Sequence, residues 1–190
     1  MNPSPAPVFG GALLAGGRST RMGQDKAGVL FEGRPLWDLQ LARLRLLAPC
    51  ELFISGRPDG PFANAGVEIV PDPIPDLGPL GGIAAILARA TSPLVLVLAI
   101  DLPAMTVDFL TKLVKTGHAV IPENGRRFEP LAAVYPKSAL PIAERLLREN
   151  DRSLQRFGRE LIGGGLAQPL PISEAELSLF RNVNRPEDLN

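Results

Sequence analysis

The chain has 190 residues, long enough for one sizeable domain and short for two. Its 20 Lys and Arg balance 20 Asp and Glu, which excludes the clustered basic excess that a broad nucleic-acid surface needs. One cysteine, Cys50, and one histidine, His118, exclude a disulfide within the chain and a Cys/His zinc cluster.

The opening stretch, Met1-Asn2-Pro3-Ser4-Pro5-Ala6-Pro7, lacks the basic start and apolar core of a signal peptide. The longest strongly apolar run, Leu94 to Ile100, is seven residues, far below a membrane span. A soluble, cytoplasmic protein with no membrane or nucleic-acid partner is the expectation. Val8 to Leu14 reads as a first buried strand. At Ala15-Gly16-Gly17 the side chains disappear, so backbone N–H groups can close on a ligand without Cβ atoms in the way. Arg18, Arg21 and Lys26 then supply fixed positive charge. A strand, a glycine turn and cations in that order describe a polyphosphate site. It is not a P-loop, because Gln24-Asp25-Lys26 follows Gly23, and Gly16-Gly17-Arg18 breaks the dinucleotide spacing.

Gly28 to Phe31 is a short extended piece, turned at Glu32-Gly33. Pro35 starts a helix to about Ala48, with Leu36, Leu39, Leu44 and Leu47 on its apolar face, and Pro49 stops it. Cys50, beside Pro49 at the end of that pattern, reads as a buried inert thiol. Leu52–Ser55 and Val67–Val70 are strands, and the prolines between Pro71 and Pro79 impose a rigid exposed loop. A small-residue helix, Leu80 to Ala90, can pack close to a sheet or a ligand. Leu94 to Ile100 does not alternate, so both its faces are buried, as at the centre of a parallel sheet. Thr106 caps a helix to about Thr116, and His118 precedes a strand at Ala119–Ile121. Gly125-Arg126-Arg127 turns the chain into a strand over Glu129–Tyr135. Helices follow at Ser138 to Glu149 and Arg152 to Leu161, then an extended piece at Ala167–Leu170 and a capping-box helix from Ser173 to Glu176 onward.

Alternating strands and helices predict a three-layer α/β/α sandwich with a Rossmann-like, mostly parallel sheet. Ligands of such sheets bind beyond the carboxyl ends of the strands. The glycine turn, Asp72 and Asp101 each follow a strand, which puts them on one edge. Asp101 is a costly carboxylate at the end of an apolar strand unless something pairs with it. It is either a Mg²⁺ ligand, since Mg²⁺ takes one or two carboxylates plus phosphate oxygens, or a turn former before Leu102-Pro103. Asp72 is either a nucleotide contact or an ordinary Pro-Asp-Pro turn residue, and Asp76 reads as solvated.

The pattern of Leu14, Gly16, Gly17, Ser19, Arg21, Met22, Gly23 and Lys26 resembles the nucleotidyltransferase signature, and Gly16-Gly17 with Asp25 before Lys26 resembles its molybdenum cofactor guanylyltransferase branch. The resemblance runs from about Phe9 to Leu189. It implies one nucleotidyltransferase (GT-A-like) domain over 1–190, with a nucleotide-binding half (1–105) and an acceptor-binding half (106–190). It implies transfer of GMP from GTP to the phosphate of molybdopterin, with Mg²⁺ as cofactor. Molybdoenzymes or other cofactor-biosynthesis proteins would be downstream partners. Backbone amides of Leu14, Ala15, Gly16 and Gly17 would hold the nucleotide, Arg21 and Lys26 the phosphates and leaving pyrophosphate, and Asp101 the metal. Asp72 followed by Gly78-Pro79-Leu80 and Gly82 matches the family's nucleotide-contacting loop.

On the acceptor side, the segment from Arg126 to Pro130, with Pro130 and Ala133 as its fixed Pro-x-x-Ala part, and the terminal Asn182-Val183-Asn184 match the family. Alternate asparagines on an extended segment point the same way and suit a pterin edge, although Asn184 could instead cap the last helix. Arg152-Ser153-Leu154 is a phosphate contact or a helix start. Two positions depart from the pattern: Ser55 stands where the family carries asparagine, and Arg185 where threonine is common. A cytidylyltransferase for the same cofactor is the nearest alternative, but such relatives tend to carry Ala-Ala-Gly in place of Ala15-Gly16-Gly17. A non-catalytic nucleotide-binding module is the alternative of another class. It does not need Arg21, Lys26 and a metal carboxylate together.

Overall fold

Gly10–Leu14 forms the first strand, β1, buried at all five positions. The structure is a computed structural model that describes residues 7–16, 29–31, 33–72 and 77–182. A two-strand ribbon, Leu30–Phe31 (β2) and Arg34–Pro35 (β3), leads into helix α1, Leu36–Leu46. The helix stops short of the expected Ala48. The residue before Pro49 is disfavoured in the helical region, and Ala48 takes a φ of 51°. Glu51–Ser55 (β4) and Glu68–Val70 (β5) follow, and then α2, Gly78–Arg89. α2 begins before the expected Leu80 because proline is tolerated in a first helical turn, where its missing N–H has no partner to lose.

Leu94–Ala99 (β6) is buried at every position after the first, and Thr106 caps α3, Val107–Lys115, by accepting the Phe109 N–H at 3.2 Å. Val120–Asn124 (β7) turns into Arg127–Phe128 (β8), and Ala132–Pro136 (β9) comes next. The single strand expected over Glu129–Tyr135 is therefore interrupted. Pro130 has no N–H for a ladder, and its carbonyl is taken by the Tyr135 hydroxyl at 2.8 Å. A 3₁₀ turn at Lys137–Ala139 precedes α4, Leu140–Arg148, and α5, Leu154–Gly163, starts one residue after its cap, Ser153. Gln168–Pro171 (β10) is the last strand. The expected last helix is a 3₁₀ segment, Glu174–Phe180, and its capping box is present, the Glu176 carboxylate accepting both the Ser173 N–H and hydroxyl.

The main sheet has eight strands in the order β5-β4-β1-β6-β9-β7-β10, with β8 paired to β7. Only β8 and β9 run against the others. Alternate side chains go to opposite faces. On one face Ala12, Leu14, Val95, Val97 and Tyr135 pack with α2, α4 and α5. On the other, Leu13, Leu96, Leu98 and Val134 pack with α1 and α3. The expected α/β/α sandwich is the observed one. No helix among the described residues is long and apolar enough to cross a membrane.

Cys50 departs from the expectation of a buried thiol. Because α1 ends early, Cys50 falls in the surface turn before β4, exposed, with its Sγ 3.3 Å from the Phe9 carbonyl oxygen and 3.0 Å from Ser92 Oγ. Next to it, Glu51 ties the amino edge of the sheet together, accepting from the N–H groups of Thr91 and Ser92 and from the Thr91 hydroxyl. Burial would raise its carboxyl, but the bonds from Ser92 and Thr91 outweigh that and hold its pKa at about 2, against an ordinary 4.5. A depressed folded-state pKa contributes stability above the unfolded value that is lost as pH falls toward the folded one. Glu51→Gln is expected to cost about 1 kcal/mol near neutral pH and little below about pH 2, as read from melts across that range.

Candidate active site

Pairing register sets the ends of the parallel strands level. Leu14 of β1 pairs with Ser55 on one side and Ala99 on the other, and Val70 of β5 is level with Ser55. Two residues beyond, on the carboxyl rim, come Gly16, Asp72 and Asp101. At about 4.8 Å per strand spacing, the rim from β5 to β6 is about 14 Å wide.

Its first half is tightly closed. Ala15 donates its N–H to the Ser55 carbonyl at 2.9 Å, and Gly56 donates to Val70 at 3.1 Å. Ser55, 1% exposed, donates its hydroxyl to Asp72 Oδ1 at 3.3 Å. Burial pushes the Asp72 carboxyl above its ordinary value, and the Ser55 bond pulls part of that back. Helix α2 approaches this pair at Gly82, where a Cβ would stand 2.6 Å from Ser55 Oγ and 3.5 Å from Asp72 Oδ1. A Cβ at Gly16 would reach ordinary contact with Asp72 Oδ2, at 3.5 Å. The backbone after β1 therefore runs bare alongside the Asp72 carboxylate.

Asp101 lies in the turn after β6, and two bonds fix that turn. Ile100 donates its N–H to the Leu14 carbonyl at 3.2 Å. Gln40, fully buried on α1, donates Nε2–H to the Leu102 carbonyl at 2.7 Å, while its own Oε1 accepts from Arg43 at 2.9 Å. Asp101 Oδ1 is buried and accepts no hydrogen bond, while the residue is engaged elsewhere. Among the described residues no group of three or more His, Cys, Asp or Glu is placed to hold a metal ion. Mg²⁺ takes one or two carboxylates plus phosphate oxygens and water, and the buried Asp101 Oδ1 is an oxygen that fits such a shell.

A cleft of ≈ 210 Å³ opens beside the rim, with Leu102, Arg127, Glu129, Pro130, Ser153 and Asn182 among its lining residues. Leu102 directly follows Asp101, so the cleft begins where the rim ends. Its hairpin wall is clamped by Gln155, which accepts the Phe128 N–H at 3.0 Å and donates to the Phe128 carbonyl at 2.8 Å. Tyr135, fully buried and stacked on Phe157 at 5.5 Å, holds the Pro130 carbonyl from behind, and burial drives its hydroxyl pKa upward.

Of the expected site residues, the structure gathers Leu14, Ala15, Gly16, Ser55, Asp72 and Asp101 at the rim, and Pro130 and Asn182 at the cleft. Gly17, Arg21, Lys26 and Asn184 lie outside the described residues, as do Arg18 and Asp76. Arg126 is exposed at the hairpin turn, and Arg127 is the arginine that reaches the cleft. Ser153 is a helix cap, accepting the Arg156 N–H at 3.2 Å, and it also lines the cleft. Sequence reasoning missed Gln40, Tyr135 and Gln155. Gln40 had a signal: a polar residue four positions from both Leu36 and Leu44, on the buried row of α1. So did Tyr135, a hydroxyl in an apolar strand. Gln155 had none.

A mostly parallel sheet with helices on both faces, and a glycine turn and carboxylates on its carboxyl rim, is the arrangement of nucleotide-binding α/β proteins. Comparison with known proteins narrows the class. The MobA-like NTP transferase domain matches residues 11–164, and the chain belongs to that family. The chain is 43% identical over 192 residues to the molybdenum cofactor guanylyltransferase of Xanthomonas euvesicatoria pv. vesicatoria, covering 93% of this chain and 90% of that one. It is 37% identical over 189 residues to a protein of Opitutus terrae named a probable molybdenum cofactor guanylyltransferase, covering 96% and 94%. Among solved structures, molybdopterin-guanine dinucleotide biosynthesis protein A of Archaeoglobus fulgidus superposes with a TM-score of 0.76 at 28% identity, covering 95% and 94%.

The close approach at Gly82 is open to a direct test. Gly82→Ala adds a methyl group against Ser55, an overpacking worth about 1–3 kcal/mol, while alanine improves helix propensity by up to about 1 kcal/mol. The expected result is a melting temperature near wild type with nucleoside triphosphate affinity down roughly tenfold. Gly163→Ala, whose Cβ meets nothing within 4 Å, leaves affinity unchanged in the same titration.

Proposed function

We propose that the chain is a Mg²⁺-dependent guanylyltransferase that transfers GMP from GTP to the phosphate of molybdopterin, forming the guanine dinucleotide cofactor and releasing pyrophosphate. The observation that carries this is the continuity of two neighbouring sites. A rim bearing Gly16, Ser55, Asp72 and Asp101 leads through Leu102 into a neighbouring cleft of mixed polar and apolar lining. One site takes a nucleotide and the other an acceptor, and the relatives' names supply the identity of each.

The reaction is an in-line displacement. An acceptor phosphate oxygen forms a bond to the α-phosphorus of GTP as the bond to the bridging oxygen of pyrophosphate breaks. The attacking oxygen is already ionised, so no general base is needed, and catalysis rests on positioning and charge neutralisation. Of the backbone amides expected to hold the nucleotide, Leu14 belongs to the sheet ladder and Ala15 donates to the Ser55 carbonyl. Gly16 and Gly17 are therefore the amides that would bind it, and Ser55 is bonded to Asp72. Arg21 and Lys26 take the phosphates and the leaving pyrophosphate. Asp101 holds the metal. When bound, Mg²⁺ supplies positive charge to the phosphate oxygens at the reacting centre. Pro130, Asn182, Asn184 and Arg126 would bind the acceptor. The product would pass to molybdoenzymes or to other proteins of cofactor biosynthesis, in the cytoplasm.

Pyrophosphate release measured with GTP, CTP, ATP and UTP, with and without molybdopterin, tests the reading. Release is expected from GTP, only with molybdopterin present, and is abolished by a chelator. Asp101→Asn is expected to lower turnover by roughly 10²–10³-fold, the usual loss of one charge-stabilising group. Release from CTP instead would make the protein a cytidylyltransferase. Tight GTP binding without release would leave a nucleotide-binding module.

A further inference from the structure

Among the described residues that line the acceptor-side cleft, Glu129 is a carboxylate that the transfer chemistry does not use. The chain fixes it from three directions. Its own N–H donates to the Pro122 carbonyl at 2.8 Å. The residue before it, Phe128, is held at both its N–H and its carbonyl by the Gln155 amide. The carbonyl of the residue after it, Pro130, accepts from the buried Tyr135 hydroxyl. The Phe128 ring is turned inward against α5, where a Cβ at Gly158 would stand 3.0 Å from it. The whole segment from Arg127 to Leu131 lines the cleft, so Arg127 and Glu129 both border it. The Glu129 carboxyl is partly buried. Burial pushes its pKa up against the charge of Arg127. A partly desolvated carboxylate in so rigid a mount is placed to accept hydrogen bonds from a ligand.

Arg127 brings a cation to the same cleft, but the group that meets the Glu129 carboxylate itself is a hydrogen-bond donor and not a phosphate, which a carboxylate repels. Leu102, another lining residue, directly follows Asp101, so an acceptor's phosphate belongs beside Asp101 and Glu129 is left to a donor-rich part of the acceptor. On the molybdopterin reading, on which this inference rests, the donor-rich end is the pyrimidinone edge of the pterin. That edge presents a ring N3–H and a 2-amino N–H side by side, the pair of donors a carboxylate accepts with its two oxygens. We propose that Glu129 reads the pterin edge of the acceptor and makes this site selective for 2-amino-4-oxopteridines.

Two assays on wild type and Glu129→Gln test this. The first is a fluorescence titration with free pterin and with lumazine, the 2,4-dioxo analogue whose carbonyl replaces the 2-amino donor. Wild type is expected to prefer pterin by roughly 10- to 100-fold, and Glu129→Gln to lose most of that preference, because an amide faces the ligand with one acceptor and one donor. The second is the transfer assay. Glu129→Gln is expected to raise the KM for molybdopterin by a similar factor, with the GTP KM and Mg²⁺ dependence as in wild type. Equal pterin preference in the two proteins, with an unchanged molybdopterin KM, overturns the proposal. A raised Mg²⁺ requirement in the variant overturns it too, because the carboxylate would then serve the metal. Wild type that prefers pterin through Glu129 yet transfers no GMP would instead sink the guanylyltransferase reading and leave pterin-edge recognition standing.

Discussion

The parallel pairing of β1 with both β4 and β6 is the constraint on which the site depends. β1 is buried at every position and carries no side chain larger than leucine. No charge can sit within such a strand, so every polar group of the centre is displaced to its carboxyl end. The register then decides what meets there. A slip of one residue would move the glycine turn about 3.3 Å along the strand and exchange Leu13 with Leu14 between the two cores. Both cores are closely filled, so that slip is heavily penalised. The positions of Gly16, Asp72 and Asp101 on one rim are thus a by-product of hydrophobic packing some residues away.

The reversed strand β9 extends the same logic to the acceptor side. A strand running with β6 would bring its carboxyl end to the rim and carry its entry segment to the far edge. β9 runs the other way, with Ala132 level with Leu98 and Pro136 with Leu94. Its amino end, and the hairpin that precedes it, therefore arrive at the rim. A single bond, the Ala99 N–H to the Leu131 carbonyl at 2.8 Å, joins the end of β6 to that entry segment. The reversed direction of β9 is what places the cleft beside the rim.

The architecture was legible in the sequence because it is written in burial. Leu94 to Ile100 has no alternation, and it is the central buried strand; Thr106 and Ser173 announce helix starts, and both do so in the structure. The rim residues were legible because each follows a strand directly. What escaped were features set by partners distant in sequence. The Glu129–Tyr135 strand breaks because a hydroxyl five residues on captures the Pro130 carbonyl. Cys50 is exposed because its helix unwinds before Pro49. Gln155 reads as a surface glutamine until Phe128, 27 residues away, is placed beside it. Which of Arg126 and Arg127 faces the cleft depends on hairpin register, and composition carries no such information.

The charges on the rim also divide the labour of the proposed reaction. Asp72, Asp101 and Glu129 are carboxylates, and burial pushes the first and last of these above their ordinary pKa values. None of them attracts a triphosphate or a phosphorylated acceptor. On the proposed reaction the attraction would come from the amides of Gly16 and Gly17, from the cations that follow Gly17, from Arg127 at the cleft and from a metal at Asp101. The carboxylates act where the substrates offer donors or a metal. Along the sheet Asp72 follows β5, Asp101 follows β6 and Glu129 precedes β9, so on the proposed reaction Asp72 would meet the nucleotide, Asp101 a metal and Glu129 the pterin. A phosphate placed against either outer carboxylate is repelled, so on the proposed reaction these groups would favour substrates bound with their phosphates toward Asp101. Selectivity and in-line geometry then arise from one electrostatic pattern.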